Sequence, residues 1–226
     1  MYKSNLTLLY STCDKNEFLW EGFFLLLDKY WKKFDGDIIF NSESKTYTNS
    51  KYNLKYSLNQ YGANWSRRFY KSLKLVKTKY VLVILDDFYI DDYVADDIIN
   101  ECIQKMNQNK NIKGFLFSQL TNNKKTDWKG FEKIKHFKNY RINLKIGLWD
   151  KEYLMNLCRD NETPWEYEVL MSLRSFFKPG DIYAVTLDYK IKYFPTSEGY
   201  LLQRGYLDMD LKNLYKKNTE FYLMDM

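Results

Sequence analysis

The chain has 226 residues, 45% of them hydrophobic, with 35 basic and 29 acidic side chains and a net charge of +6. That length can bury a full core without disulfide staples, and three scattered cysteines, Cys13, Cys102 and Cys158, argue against both a disulfide framework and a CxxC zinc site. So modest a basic excess, spread along helical segments, speaks against a nucleic-acid binder. It suits a small anionic ligand or loose contact with an anionic membrane surface. With no apolar run approaching about 18 residues and no signal-peptide pattern at Met1-Tyr2-Lys3-Ser4-Asn5, a cytoplasmic protein is expected.

Leu6 to Tyr10 reads as a strand that ends in small and polar residues, Ser11-Thr12-Cys13-Asp14. Asn16 is placed to cap a helix running to about Lys33, with Leu19, Trp20, Phe23, Phe24, Leu27 and Tyr30 at helical spacing. Asp35-Gly36-Asp37 turns the chain into a strand at Ile38-Ile39-Phe40, which ends at Asn41-Ser42-Glu43. Residues 44–60 read as a polar loop holding a short strand from Leu54 to Leu58. Trp65-Ser66-Arg67-Arg68 opens a helix whose apolar face is Phe69, Leu73 and Val76. Arg67 there reads as part of a solvated helix face.

Tyr80-Val81-Leu82-Val83-Ile84-Leu85-Asp86-Asp87-Phe88 organises the rest. So long an apolar run fits a strand buried on both faces of a mainly parallel sheet, and the carboxyl ends of such strands face a ligand crevice. Two adjacent carboxylates at that rim suit a hard divalent cation, which takes oxygen ligands and bridges to phosphates. The same two residues could equally end the strand and cap the next segment.

Beyond them, Asp91 to Asn107 reads as a helix, Ile112 to Leu120 as a strand, and Thr121 to Trp128 as a loop. Tyr140 to Trp149 alternates as a strand, Lys151 to Cys158 reads as a short helix, and a further helix starts at Pro164-Trp165-Glu166-Tyr167-Glu168. Strands near Ile182 to Leu187 and Ile191 to Tyr193 precede a short helical or irregular closure. His136, the one histidine, sits in a lysine-rich loop and is expected to be exposed. The β-α-β order gives an α/β class with a mainly parallel sheet in its first half.

These pieces in this order resemble a small bacterial glycosyltransferase of the GT-A fold, of the capsular or surface polysaccharide type. The match rests on Leu8-Leu9-Tyr10-Ser11-Thr12-Cys13-Asp14, Asn41-Ser42-Glu43-Ser44, Trp65-Ser66-Arg67-Arg68 and the central strand with Asp86-Asp87-Phe88. It continues through Leu144-Lys145-Ile146-Gly147-Leu148-Trp149, Pro164-Trp165-Glu166-Tyr167-Glu168, Ser197-Glu198-Gly199 and Arg204-Gly205. The usual Asp-x-Asp is reduced here to Asp86-Asp87, with no third carboxylate.

The resemblance implies a single Rossmann-like GT-A domain, a mixed and mainly parallel sheet flanked by helices. Residues 1–110 would form the nucleotide-sugar half and 111–226 the acceptor half. Ser11, Thr12, Asp14, Asn41 and Glu43 would lie near the base and ribose. Arg68 would approach the diphosphate or lock the aspartates, Asp86 would serve the donor or the metal, and Asp87 would hold Mn²⁺ or Mg²⁺. The partners would be a nucleotide-diphosphate sugar and a glycan or lipid-linked saccharide acceptor, with peripheral membrane contact and no nucleic acid.

Inverting transfer also needs a carboxylate to take the acceptor hydroxyl's proton. Glu166 and Glu168, near a helix start that favours their ionised forms, are the candidates. Glu166 comes first because Pro164 and Trp165 would fix its approach, and Glu168 would point roughly 200° further round a helix turning about 100° per residue. Both could instead simply favour the first helical turn. Two other classes share parts of the pattern. A nucleotidyltransferase would want a Gly-rich or basic phosphate loop, and a nucleic-acid-binding module would want a basic stripe interleaved with aromatics. The sequence has neither.

Overall fold

The computed structural model describes residues 5–59, 64–120, 123–128 and 130–186, together with the backbone of 202–203 and 206–207. Its strands are β1 (Leu6–Ser11), β2 (Ile38–Ser42), β3 (Leu54–Leu58), β4 (Tyr80–Leu85), β5 (Ile112–Gln119), β6 (Phe131–Lys133), β7 (Gly147–Asp150) and β8 (Asp181–Val185). They form one sheet in the order β3-β2-β1-β4-β7-β5-β8-β6. β3, β2, β1 and β4 run parallel, β7 is antiparallel to both β4 and β5, β8 is parallel to β5, and β6 is antiparallel to β8. This is the mixed, mainly parallel α/β sheet expected from the sequence.

Helices cover both faces, which is why β1, β2 and nearly all of β4 are buried along their lengths. On one face Leu6, Leu8, Tyr10, Ile38, Phe40, Leu82 and Ile84 pack against α1 (Trp20–Tyr30) and α3 (Asp96–Gln108). On the other, Leu9, Ile39, Val81, Val83 and Trp149 meet α2 (Trp65–Leu75), α4 (Lys151–Leu157) and α5 (Pro164–Phe176). The period-two alternation along each strand therefore feeds two separate cores.

Local chemistry sets the helix starts. The Asn64 side chain accepts from the Arg67 N–H at 2.9 Å to begin α2, and Asp150 accepts from the Tyr153 N–H at 2.9 Å to begin α4. Thr163 and Glu166 form a reciprocal capping box on α5, with Pro164 in its first turn.

Several boundaries differ from those expected. The first helical segment opens as a 3-10 turn over Asp14–Leu19, and Asn16 does not cap it. α3 starts at Asp96 rather than Asp91, because the Val94 N–H is held by the Tyr30 carbonyl at 3.1 Å. The strand expected over Tyr140 to Trp149 shrinks to β7. Tyr140 has φ 56°, a left-handed value no strand continues through. Residues 142–144 are satisfied by α5 instead. Ser172 Oγ accepts from the Ile142 N–H at 3.2 Å and donates to the Ile142 carbonyl at 3.0 Å, while Glu168 Oε1 accepts from the Leu144 N–H at 2.7 Å.

β6 has no counterpart among the expected strands; its three residues are too few for a periodic signal. A two-stranded antiparallel hairpin, β9 (Leu202–Gln203) with β10 (Tyr206–Leu207), replaces part of the expected closure. The strand expected at Ile191 to Tyr193 and the rest of the tail lie outside the described residues, as do Ser197-Glu198-Gly199 and Arg204-Gly205. His136 is not simply exposed. Its Nε2 lies 2.8 Å from the Phe176 carbonyl and its Nδ1 accepts from Arg141 Nη1 at 3.0 Å, so the Nε2–H tautomer donates to that carbonyl. Among the described residues, no helix is long and apolar enough to cross a membrane.

Candidate active site

The strand order reverses at β1: the chain runs outward through β2 and β3, then returns to place β4 on β1's other side. Crevices form at such switch points, beyond the carboxyl ends of the two adjacent strands. Ser11 pairs with Leu85 in register, so Thr12 and Asp86 leave the sheet side by side. The backbone holds this rim closed, with the Asp86 N–H donating to the Ser11 carbonyl at 3.2 Å and the Thr12 N–H to the Asn41 carbonyl at 2.8 Å.

Asp86 is buried, and its Oδ2 accepts from Thr12 Oγ1 at 2.5 Å and Asn16 Nδ2 at 2.9 Å. Trp20 Nε1 in turn donates to Thr12 Oγ1 at 2.7 Å. Burial pushes the Asp86 carboxyl above its ordinary range, against the pull of the Thr12 and Asn16 bonds. Asp87 differs in having no such partners. Its Oδ1 is buried without a hydrogen bond, and burial, with the Asp86 charge beside it, pushes its pKa up to about 7. A buried carboxylate oxygen with nothing to accept from is a position that a cation would satisfy. Asp86 and Asp87 therefore differ: one carboxylate is held by the protein, and the other has a buried oxygen left open.

Asp14 and Glu43 clasp the loops after β1 and β2. Asp14 accepts from the N–H groups of Glu43 (3.0 Å), Ser44 (3.0 Å) and Lys45 (3.2 Å) and from the Ser44 hydroxyl, while its own N–H donates to Glu43 Oε2 at 2.8 Å. Burial alone would raise the Asp14 carboxyl, but these donors outweigh it and hold it below the usual range. Ser11 and Asn41 are buried against each other, Asn41 Nδ2 donating to Ser11 Oγ at 3.2 Å, with Asn41 Oδ1 left without a hydrogen bond.

Arg68 is buried on the first turn of α2, its Nη1 3.3 Å from Glu43 Oε1. Neither its Nε nor its Nη1 makes a hydrogen bond. Glu43 thus ties Arg68 to the β1 and β2 loops, and the guanidinium keeps donors in reserve. Arg67 is exposed and pairs with Asp160, while Trp65 packs on Phe69 and Tyr167, with ring centroids 5.1 and 4.8 Å away. The structure thus brings Ser11, Thr12, Asp14, Asn41, Glu43, Arg68, Asp86 and Asp87 to one rim.

The two glutamates on α5 have opposite surroundings. Glu166 is exposed; its carboxylate accepts from both the N–H and the hydroxyl of Thr163, which lower its pKa. Glu168 is half-buried against the segment leading into β7, and burial raises its pKa despite the Leu144 N–H and Lys145. β7 begins opposite Val83, near the end of β4, so Glu168 stands on the side of the sheet's rim that carries the aspartates. Glu166 thus closes the capping box of α5, while Glu168 holds the backbone of Leu144. Cys13, Asn16 and Trp20 join the site without having been singled out by the sequence. No periodic signal marks them, because residues 14–19 form a 3-10 turn in which Asn16 leaves helical geometry.

No protein-family model matches the chain, and no curated protein matches its sequence. Solved structures do match. S. aureus TarS, residues 1–349, superposes with a TM-score of 0.55 at 13% identity, over 80% of this chain and 60% of that one. The same protein in complex with UDP-GlcNAc gives 0.55 and 13%, over 87% of this chain and 61% of that one. Glucosyl-3-phosphoglycerate synthase from Mycobacterium tuberculosis, in complex with phosphoglyceric acid, gives 0.51 and 9%, over 81% and 70%. The fold is that of the GT-A glycosyltransferases. The chain spans about 60% of the TarS chain it matches, and at these identities the likeness is one of GT-A architecture.

Proposed function

We propose that this GT-A domain transfers a sugar from a nucleotide-diphosphate sugar to a glycan or lipid-linked saccharide acceptor, in the assembly of a surface polysaccharide. The observation that carries this reading is the unequal aspartate pair at the β1–β4 switch point, with Asp87 Oδ1 buried and unpartnered. The UDP-GlcNAc bound in the TarS relative supports a donor of that class.

Breaking the anomeric C–O bond puts charge on the departing diphosphate, and fixed positive groups lower that barrier. Arg68 is one such group, held by Glu43 with N–H donors still unused. Mg²⁺ or Mn²⁺ at a phosphate is commonly held by one or two carboxylates plus the substrate's own oxygens, a donor set that the aspartate pair can supply. Asp87, supported by Asp86, would hold the ion, which would neutralise charge on the leaving group.

Asp86, fixed by Thr12 and Asn16, positions the donor. Glu168 takes the proton from the acceptor hydroxyl as its oxygen bonds to the anomeric carbon opposite the departing phosphate, so the configuration inverts. A raised pKa suits a base that must accept a proton in turn. Residues 1–110 serve the donor and later residues the acceptor.

The test is a thermal-shift panel of UDP-, GDP-, CDP- and dTDP-sugars with and without Mn²⁺, since a ligand of the folded state raises its melting temperature. One nucleotide class should shift the parent and not Asp87→Ala. NMR of the product's anomeric centre then reads inversion or retention.

A further inference from the structure

α5 carries large apolar side chains on both of its faces. Tyr167 and Met171 point into the core, while Trp165, Val169, Leu170, Leu173 and Phe177 are exposed on the opposite side. At about 100° per residue these five share one face of the helix. Trp165 is 76% exposed and Phe177 88%. A contiguous exposed apolar patch of this kind marks an interaction surface.

The patch extends beyond α5. Phe137, itself 76% exposed, packs 5.4 Å from Phe176, and the His136 hydrogen bond to the Phe176 carbonyl ties its loop to the helix end. This end is rimmed by Lys135, Lys138 and Lys178. Lys138 Nζ donates to the neutral Asn123 at 2.9 Å, and none of the three pairs with a carboxylate among the described residues. Of the nearby acids, Glu132 acts on Lys138 without pairing with it, while Asp181 pairs with Lys133, Glu162 with Arg174 and Asp160 with Arg67. Glu166, the acid on the outer face, turns its carboxylate to Thr163.

We infer that the outer face of α5, with Phe137, is a docking surface for an anionic lipid bilayer, its aromatic end inserting at the headgroup boundary and Lys135, Lys138 and Lys178 contacting the phosphates. Aromatic and Leu side chains beside unpaired lysines are the combination that interfacial binding uses. A second protein surface would be expected to bring carboxylates to those lysines, and the bilayer supplies the same charge together with an apolar layer. The docking end lies just before β8 begins, at the edge of the sheet opposite the aspartate rim, so the inference stands apart from the proposed function.

The test is co-sedimentation of the full chain with vesicles of phosphatidylglycerol and phosphatidylcholine in equal parts, and with phosphatidylcholine alone. The parent should bind the anionic vesicles at low salt and release as salt rises. The double variant Phe137→Ser/Phe177→Ser should lose about tenfold or more in partitioning, and Lys135→Glu/Lys178→Glu should bind neither composition well. The thiol of a Leu173→Cys variant should react freely in solution and be protected on anionic vesicles. Parental binding by the phenylalanine double variant, or absence of binding at low salt, overturns the proposal. So does a thiol at that position already protected without lipid, which would mean that a second copy or residues 187–226 cover the face. The nucleotide-sugar thermal shift, measured on the same variants, should stay parental, so a failure of donor binding is read separately from a failure of docking.

Discussion

Thr12 Oγ1 donates to Asp86 Oδ2 at 2.5 Å while accepting from Trp20 Nε1 at 2.7 Å, so one hydroxyl joins the end of β1, the end of β4 and the start of α1. Thr12→Val keeps the side-chain shape and strands both neighbours: the indole loses its acceptor and the buried carboxylate loses a donor. Leaving buried polar groups unpaired costs roughly 1–3 kcal/mol each. Denaturant unfolding should show a loss of that order, and Thr12→Ser, which restores the hydroxyl, should recover most of it. A Thr12→Val protein as stable as the parent would mean that the network carries little of the site's rigidity.

Asp87 should govern the response to metal. Mn²⁺ alone should raise the parent's melting temperature, because the ion gives the unpartnered Oδ1 an interaction that the fold lacks. Asp87→Asn should melt at least as high as the parent without metal, since it removes a buried charge, and should not respond to Mn²⁺. An equal Mn²⁺ response in both proteins would place the metal elsewhere.

Glu168 should set the pH profile of transfer. A base works ionised, so the rate rises as pH climbs through its pKa, and burial raises that pKa above an ordinary glutamate's. The rising limb of kcat/KM should therefore sit above the usual carboxylate range. Glu168→Gln should lower the rate by roughly 10²–10⁴-fold and remove the limb. Glu166→Gln should keep the profile and lose only a little helix-capping stability. The reverse pattern would return Glu166 to the catalytic role.

Gly114 should tolerate no side chain. A Cβ there would lie 2.3 Å from the Trp149 ring, which also crosses Gly147 at 2.5 Å. Both atoms belong to a ring packed in the core, so Gly114→Val forces Trp149 out of place and should cost roughly 1–3 kcal/mol or more by overpacking. Trp149→Leu, made in the same background, should relieve part of that cost, measured as a double-mutant cycle in denaturant.

The sequence made the buried strands legible because β1, β2 and β4 are continuous apolar runs and their turns carry Ser, Thr, Asn and Asp. It also pointed to the rim, since strand ends lie beside one another in a parallel sheet whatever the loops do. It ranked Glu166 ahead of Glu168 and could not show how their surroundings differ. Both fit a first helical turn, and the partner that distinguishes Glu168 is a backbone N–H at Leu144, 24 residues away in the chain. Residues 142–144 mislead for the same reason: their alternation is genuine, but the groups that satisfy the backbone of Ile142 and Leu144 are the side chains of Ser172 and Glu168 rather than a neighbouring strand. Asn16 resembles a cap because its amide can either accept through Oδ1 at a helix start or donate through Nδ2 to a carboxylate, and only the position of Asp86 decides between them.

Titration calorimetry of the nucleotide-sugar that shifts the parent most, with Mn²⁺ present, tests the central claim most directly. The parent should bind at one site, Asp87→Ala should lose about tenfold or more in affinity, on the scale of a charge-assisted contact removed, and Glu168→Gln should bind the donor as the parent does. Parental affinity in Asp87→Ala, or no binding of any nucleotide-sugar to the parent, would contradict the assignment of the β1–β4 crevice as a donor site.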